Sequence, residues 1–218
     1  MGLVLKEVDP RRCTDYVLNH HYARRAVGAR RAFGLFLDGE MAGCVLYSQP
    51  ASYTLCKGVC GEPYKAKVLE LSRLVIPVPV ENGASQLIGK SLKRLGDGVV
   101  VSYADPNSHV GHVGYVYQAT NWLYTGKSTA EPAWVHPSTG KIISYTRRHI
   151  DAKAAGMGLD WRDLEKRKQS GKHRYVTFTG SRKFKKEARL ALKYEVQPYP
   201  KGVTRRHVAA VCSGTLFT

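Results

Sequence analysis

The run Gly98–Ala104, GVVVSYA, is the stretch that most constrains what this chain can fold into. Seven residues without a charge read as a buried strand, because neither side of such a run is suited to water. Upstream lies a second strand, Val68–Ile76 (VLELSRLVI), stopped by Pro77-Val-Pro79. Between the two come the loop Glu81-Asn82-Gly83-Ala84-Ser85 and a helix over Gln86–Leu95, with Leu87, Ile88, Leu92 and Leu95 at helical spacing. A first strand at Gly2–Val8, a helix over Arg11–His21 and a hairpin joining Arg31–Leu37 to Met41–Tyr47 through Asp38-Gly39-Glu40 precede them. The order predicts a mixed α/β sheet flanked by helices.

Other segments read less firmly. Gln49–Lys65 is rich in turn residues and reads as a loop. Tyr115–Asn121 reads as a helical turn and Trp122–Thr125 as a strand. Arg147–Gly156 and Arg162–Lys168 read as short helices, Tyr175–Thr179 as a strand, Lys183–Lys193 as a basic amphipathic helix, and Val196–Thr218 as extended.

Charge divides the chain. Residues 1–140 carry 15 Lys and Arg against 11 Asp and Glu, whereas residues 141–218 carry 19 against 6. The expected organisation is a core over 1–150 and a basic extension over 151–218 that binds a polyanion, nucleic acid being the usual one. No apolar run is long enough for a membrane span. The first residues, MGLVLKEVDPRR, carry charges where a secretion signal needs apolar ones, so secretion is not expected. Five irregularly spaced cysteines fit a reducing compartment, and Cys56 and Cys60 read as structural thiols rather than zinc ligands.

The chemistry-bearing residues crowd into Ser102–Gly126, SYADPNSHVGHVGYVYQATNWLYTG. Asp105 ends the buried strand, and Pro106 forces it into extended geometry. A carboxylate at that lip suits a general base, a metal ligand, or a plain loop cap through an Asx turn. His109 and His112 sit three apart among glycines, which favours a loop over a metal-binding helix. Arg73 lies within an apolar strand, so its guanidinium needs an anionic partner such as Glu70, Asp105 or a bound phosphate or carboxylate. Strand alternation puts Glu70 and Ser72 on one face and Arg73 on the other unless a bulge intervenes. Asn82, Gly83 and Ser85 open a helix, where backbone N–H groups and the positive helix end form an anion cradle, with Ser91 further along the same helix.

The segments HHYARR (20–25), LELSRLVIP (69–77), SYADP (102–106) and YVYQATNWLYTG (115–126) together resemble the phage Mom family, on a GNAT-type acyltransferase order of elements. The resemblance covers roughly residues 1–150. It implies an enzyme of the host-cell cytoplasm that converts adenine N6 in double-stranded phage DNA to a carbamoylmethyl derivative, shielding the DNA from restriction. It implies catalytic roles for His21, Tyr22, Arg73, Asp105 and Tyr117. Glu70, Tyr103, Asn121 and Trp122 would line the site or stack on a flipped base. Donor binding falls to Asn82, Gly83, Ser85 and Ser91, although the 81–85 loop is not the Gly-rich loop of typical acetyltransferases. His21, Tyr22 and Asp105 offer nitrogen and oxygen donors that suit iron. Plain acyl transfer would leave an amide at N6, whereas a glycyl donor, such as an aminoacyl-tRNA, holds the right atoms for the carbamoylmethyl group. Acetyl-CoA acting on another amine, and a non-catalytic DNA-binding protein, are the competing readings.

Overall fold

The computed structural model describes residues 2–107, 111–130, 132–140, 142–144 and 149–202. The chain starts with β1 (Leu3–Val8), a short 3-10 turn (Pro10–Cys13) and α1 (Thr14–His20). Asp9 begins that turn by accepting a hydrogen bond from the Arg11 N–H. The hairpin of β2 (Ala29–Leu37) and β3 (Glu40–Ser48) follows. The segment expected as a loop contains α2 (Tyr53–Cys60), capped by Ser52 Oγ, which accepts from the Leu55 N–H. Its apolar stripe is Cys56, Val59 and Cys60, at helical spacing, and these bury it. The cysteines are therefore core thiols, and the four described cysteines, Cys13, Cys44, Cys56 and Cys60, are all free. Cys212 lies outside the described residues.

Next come β4 (Val68–Val75), α3 (Gly83–Leu92), β5 (Gly98–Ala104), α4 (Tyr115–Ala119) and β6 (Leu123–Lys127). A small insertion then forms β7 (Pro132–Val135), β8 (Ile142–Ser144), α5 (Ile150–Ala155) and β9 (Glu165–Lys168). The helix expected over Arg162–Lys168 is thus mostly a strand, paired to β7 from Pro132↔Lys168 to Val135↔Glu165. The chain returns through β10 (His173–Thr179) and α6 (Arg182–Leu190).

The main sheet runs β1-β2-β3-β4-β5-β10-β6, and the insertion forms a second sheet, β8-β7-β9. All main-sheet pairs are antiparallel except β4 with β5. This is the mixed α/β sheet flanked by helices anticipated from the sequence. The strand β10 comes from beyond residue 150 and lies between β5 and β6. Residues on both sides of position 150 therefore build one sheet.

Alternation gives the main sheet two covered faces. Phe33, Leu35, Val45, Tyr47, Leu71 and Val100 pack with α3 and α4 on one. On the other, Val68, Val99, Val101 and Val176 pack with α2 and α6, and Ala32, Cys44, Leu46 and Val75 with α1. Each such buried aliphatic side chain contributes roughly 1.5–3 kcal/mol. Among the described residues no helix is long and apolar enough to cross a membrane.

Candidate active site

The site begins where a ladder stops. Strands β4 and β5 pair only over Val68↔Val99, Leu69↔Val100 and Glu70↔Val101. Beyond that, β4 stays with β3 through Leu71↔Tyr47 to Val75↔Cys44, while β5 stays with β10 through Ser102↔Tyr175 to Ala104↔His173. The sheet forks because each strand keeps its antiparallel partner. In the crotch, Ser102 Oγ donates to the Leu71 carbonyl at 2.8 Å, replacing a ladder bond. Ser102 and Tyr117 share the other contact at 2.8 Å. A carbonyl can only accept, so Ser102 uses its proton there and the Tyr117 hydroxyl donates to Ser102.

A bulge decides where Arg73 points. Leu71 faces Tyr47 and Arg73 faces Leu46, so Ser72 is the extra residue. The bulge brings Glu70, Ser72 and Arg73 to one face, the arrangement that strand alternation alone would forbid. Ser72 is held there by Ser48 Oγ at 2.8 Å.

Among the described residues the half-buried Arg73 guanidinium bonds no carboxylate. Its Nε and Nη2 donate to the Arg25 carbonyl at 3.3 and 3.2 Å, and Nη1 donates to the Ser72 carbonyl at 2.6 Å. Burial, then the neighbouring Arg25 charge, pushes its pKa down, and Tyr22 and Glu70 oppose the shift. Three of its five N–H groups are used, which leaves two for a ligand.

His21 and Tyr22 reach the fork from the end of α1. The His21 N–H bonds the Val17 carbonyl at 3.0 Å, and the chain turns back so that Ala23 N–H donates to His21 Nδ1 at 3.0 Å. Arg24 adopts φ 40° to make that turn. His21 is buried, and desolvation, then the Arg73 and His112 charges, lowers its pKa to about 4. It is neutral near pH 7. With Nδ1 accepting, the ring proton sits on Nε2, so His21 offers a donor. The Tyr22 ring stacks on His21 at 4.3 Å and meets His112 edge-on at 5.9 Å, and Tyr22 remains 39% exposed.

Glu70 is the carboxylate poised to titrate. Burial raises its pKa, against the pull of Arg73 and Lys172. Asp105 is the more firmly occupied one. Its Oδ1 accepts from the Asn107 N–H at 2.9 Å and from Asn107 Nδ2 at 3.2 Å, an Asx turn, and Oδ2 lies 3.3 Å from Lys172 Nζ. His112 is held below the usual imidazole range by burial, with Asp105 opposing. His173 is lowered by burial too, and its Nδ1 lies 2.9 Å from Tyr124 Oη.

Several expectations need correction. Trp122 is fully buried among Tyr117 and its neighbours, so it cannot stack on an incoming base. Tyr103, by contrast, keeps a place beside the site: it projects to the face opposite Ser102, where its hydroxyl feels the Glu70 charge, and is partly buried with the α2–α6 core. Asn121 is exposed and adopts φ 59° in the turn closing α4, where it shapes the chain rather than a site. Ser91 is fully buried, sharing a 2.7 Å bond with Tyr47 Oη and donating to Ile88 O, so it cannot touch a donor. Gly83 is also buried and its N–H already bonds Val80 O at 2.9 Å. Asn82 is exposed in the left-handed region at the helix start. The Ala84 and Ser85 N–H groups are then the ones without an intrahelical acceptor.

The iron site does not fit either. His21 accepts at Nδ1 and carries its proton at Nε2, and both Asp105 oxygens are engaged. Among the described residues no group of three His, Cys, Asp or Glu side chains could hold a metal ion. His109 lies outside the described residues. Lys172 and His173, far along the chain from the other members, carry no signal in the sequence beyond the basic character of their region. They join the site through β10.

The Mom protein family matches this chain over residues 2–201. No curated protein matches the chain. Solved structures resemble its course. An N-acetyltransferase from Staphylococcus aureus has 10% identity and a TM-score of 0.46, over 82% of this chain and 99% of that one. A putative acetyltransferase from Salmonella typhimurium, solved with acetyl-CoA, has 10% identity and 0.47, over 83% and 96%. A polyamine N-acetyltransferase from Drosophila melanogaster has 11% identity and 0.45, over 81% and 100%. Likeness at this level assigns no chemistry to the present fork.

Proposed function

Because this chain belongs to the Mom protein family, we propose that the fork is the active site of a transferase that converts adenine N6 in DNA to its carbamoylmethyl derivative. The observation that carries the reading is a half-buried guanidinium, Arg73, bonded among the described residues only to carbonyls, beside a carboxylate of raised pKa, Glu70. Such a pair suits a reaction in which an amine loses a proton while an oxygen gains charge.

Adenine N6 is a weak nucleophile because its lone pair is shared with the ring. Glu70 takes the N6 proton as N6 attacks. The two remaining Arg73 N–H groups and His21 Nε2–H stabilise the charge developing on the donor carbonyl oxygen. Tyr22, exposed and backed by His21, stacks on the extruded base. Asp105 holds the lip and orients Lys172.

The donor is a glycyl ester such as a charged tRNA. The N6–carbonyl bond forms, the ester C–O bond breaks, and the proton held by Glu70 passes to the departing hydroxyl oxygen. A glycyl amide and a carbamoylmethyl amine are isomers: the N6–carbonyl and methylene–amine bonds break, the N6–methylene and amine–carbonyl bonds form, and no further atom or oxidant is needed. The modified base would shield phage DNA from restriction in the host cytoplasm.

The test is nucleoside mass spectrometry on DNA from cells expressing the chain and fed labelled glycine or labelled acetate. Both carbons and the nitrogen of glycine in a new adenine derivative support the reading. The two isomers have equal mass, so fragmentation must show an N6–methylene bond. Label from acetate alone moves the donor to acetyl-CoA, the competing reading. An unaltered adenine profile removes DNA as the substrate.

A further inference from the structure

The chemistry above leaves unused a rim of lysines on two outer strands, β6 and β9. Strand β9 is the outer strand of the small sheet, and all four of its residues are exposed. Glu165 pairs with Arg167 at 2.7 Å, which leaves Lys166, 5.5 Å over the Trp134 ring, and Lys168 as the strand's charges without an acidic partner among the described residues. Lys127 ends β6, the outer strand of the main sheet, and its Nζ donates to Ser170 Oγ at 3.0 Å.

Through Ser170, Lys127 is fastened to the site. Asn107 Nδ2 donates to Ser170 O at 2.7 Å, and Ser170 N–H donates to Asn107 Oδ1 at 3.0 Å. The same Asn107 closes the Asx turn of Asp105. The segment joining β9 to β10 also lies flat on the end of β6, where Ser128 O would be 1.9 Å from any Cβ at Gly171. At about 3.3 Å per extended residue, Lys166 lies at most about 20 Å along the chain from Lys172. That reach matches roughly six base pairs of axial rise.

We infer that Lys127, Lys166 and Lys168 form a track for the phosphates of the DNA strand flanking the target adenine. The inference rests on the DNA-modification reading above. It sets the track apart from α6, whose Arg182, Lys183, Lys185, Lys186 and Arg189 form the larger basic face. That helix starts beyond Thr179, which pairs with Gly98 at the end of β10 away from the fork. Lysines on an outer strand also serve simply to block edge-to-edge pairing, and the experiment separates the two roles.

The affinity of the purified full chain for a fluorescent duplex is measured across salt for the wild type, for K127Q/K166Q/K168Q and for K183Q/K185Q/K186Q. The slope of log affinity against log salt falls by about 0.9 for each lost phosphate contact, so the rim variant should lose about 2.7. The helix variant should lose less. An unchanged rim slope, or a larger loss from the helix variant, overturns the track. So does a rim variant that loses affinity for a tRNA competitor but not for the duplex, or one that merely self-associates. Adenine modification by the wild type is scored separately. Its absence beside a reduced rim slope sinks the functional reading and leaves the track standing.

Discussion

The aromatic block behind the fork and the fork itself treat buried polar atoms in opposite ways. In the block, Tyr117 lies 5.1 Å from Trp122 and 5.2 Å from Tyr175, and Tyr124 lies 5.3 Å from Tyr175. Its hydroxyls have partners: Tyr117 with Ser102, Tyr124 with His173, and Tyr175 donating to Val113 O at 2.5 Å. Burial raises the Tyr117 and Tyr175 hydroxyls to about 12, so they stay neutral. Only Trp122 Nε1 is buried there without a partner among the described residues. In the fork, burial penalises the charged forms of Arg73, Glu70 and His21. A core that satisfies neutral groups stabilises itself. A site that holds charged groups under penalty is held by its surroundings and is ready for a charged partner.

The comparison breaks most visibly at Trp122. Trp122→Ala should lower stability by about 3–5 kcal/mol, read from urea unfolding, because it removes the largest fully buried side chain among the described residues. A variant that unfolds like the wild type but makes no modified adenine would move Trp122 into the site. Arg73→Met tests the other region. Modified adenine should fall about 100- to 1,000-fold, the scale of a lost oxyanion donor, while stability changes by under about 1.5 kcal/mol. If the loss of product merely followed a loss of folded protein, the fork would be packing like the block.

Tyr22→Ala should reduce product about tenfold, within the range for one lost stacking contact, and Tyr22→Phe should restore it. Equal defects in both would make the hydroxyl, not the ring, the working part. The smallest effect is the pH dependence of stability. His21, with its folded pKa near 4, lies below its unfolded value. The unfolded chain therefore binds the proton first. Stability is complete above about pH 6.5 and falls as pH drops toward 4, by roughly 1–3 kcal/mol. His112 and His173, also depressed by burial, add in the same direction. The raised Glu70 opposes them as pH falls, because its folded form takes up its proton before the unfolded one does. Urea midpoints at several pH values should show a shallower fall in His21→Gln. An identical fall would assign the effect to the other two imidazoles.

Much of the sheet is legible because its strands are written as apolar runs: Val68–Val75 and Gly98–Ala104 form within a residue of the bounds those runs suggest. The helix α2 is hidden because Ser52, Gly58 and Gly61 look like turn residues, while Cys56, Val59 and Cys60 carry a stripe only a folded helix displays. The strands β7, β8 and β9 escape notice because three or four residues hold too few periods to register. In the site, His21, Tyr22, Arg73 and Asp105 stand out in the sequence and are brought together by the fold. The same reading also picks out Trp122, since aromatic density marks a core as readily as a site. Lys172 and His173 depend on β10 lying beside β5, which no local pattern records.

The sharpest test is the nucleoside profile of DNA from cells making equal amounts of soluble wild-type or Glu70→Gln chain. A new adenine derivative is expected with the wild type and roughly 100-fold less of it with the variant, the scale of a missing general base. The adenine profile of the empty vector from the wild type, or full yield from the variant, would contradict the assignment of the fork as the modifying site.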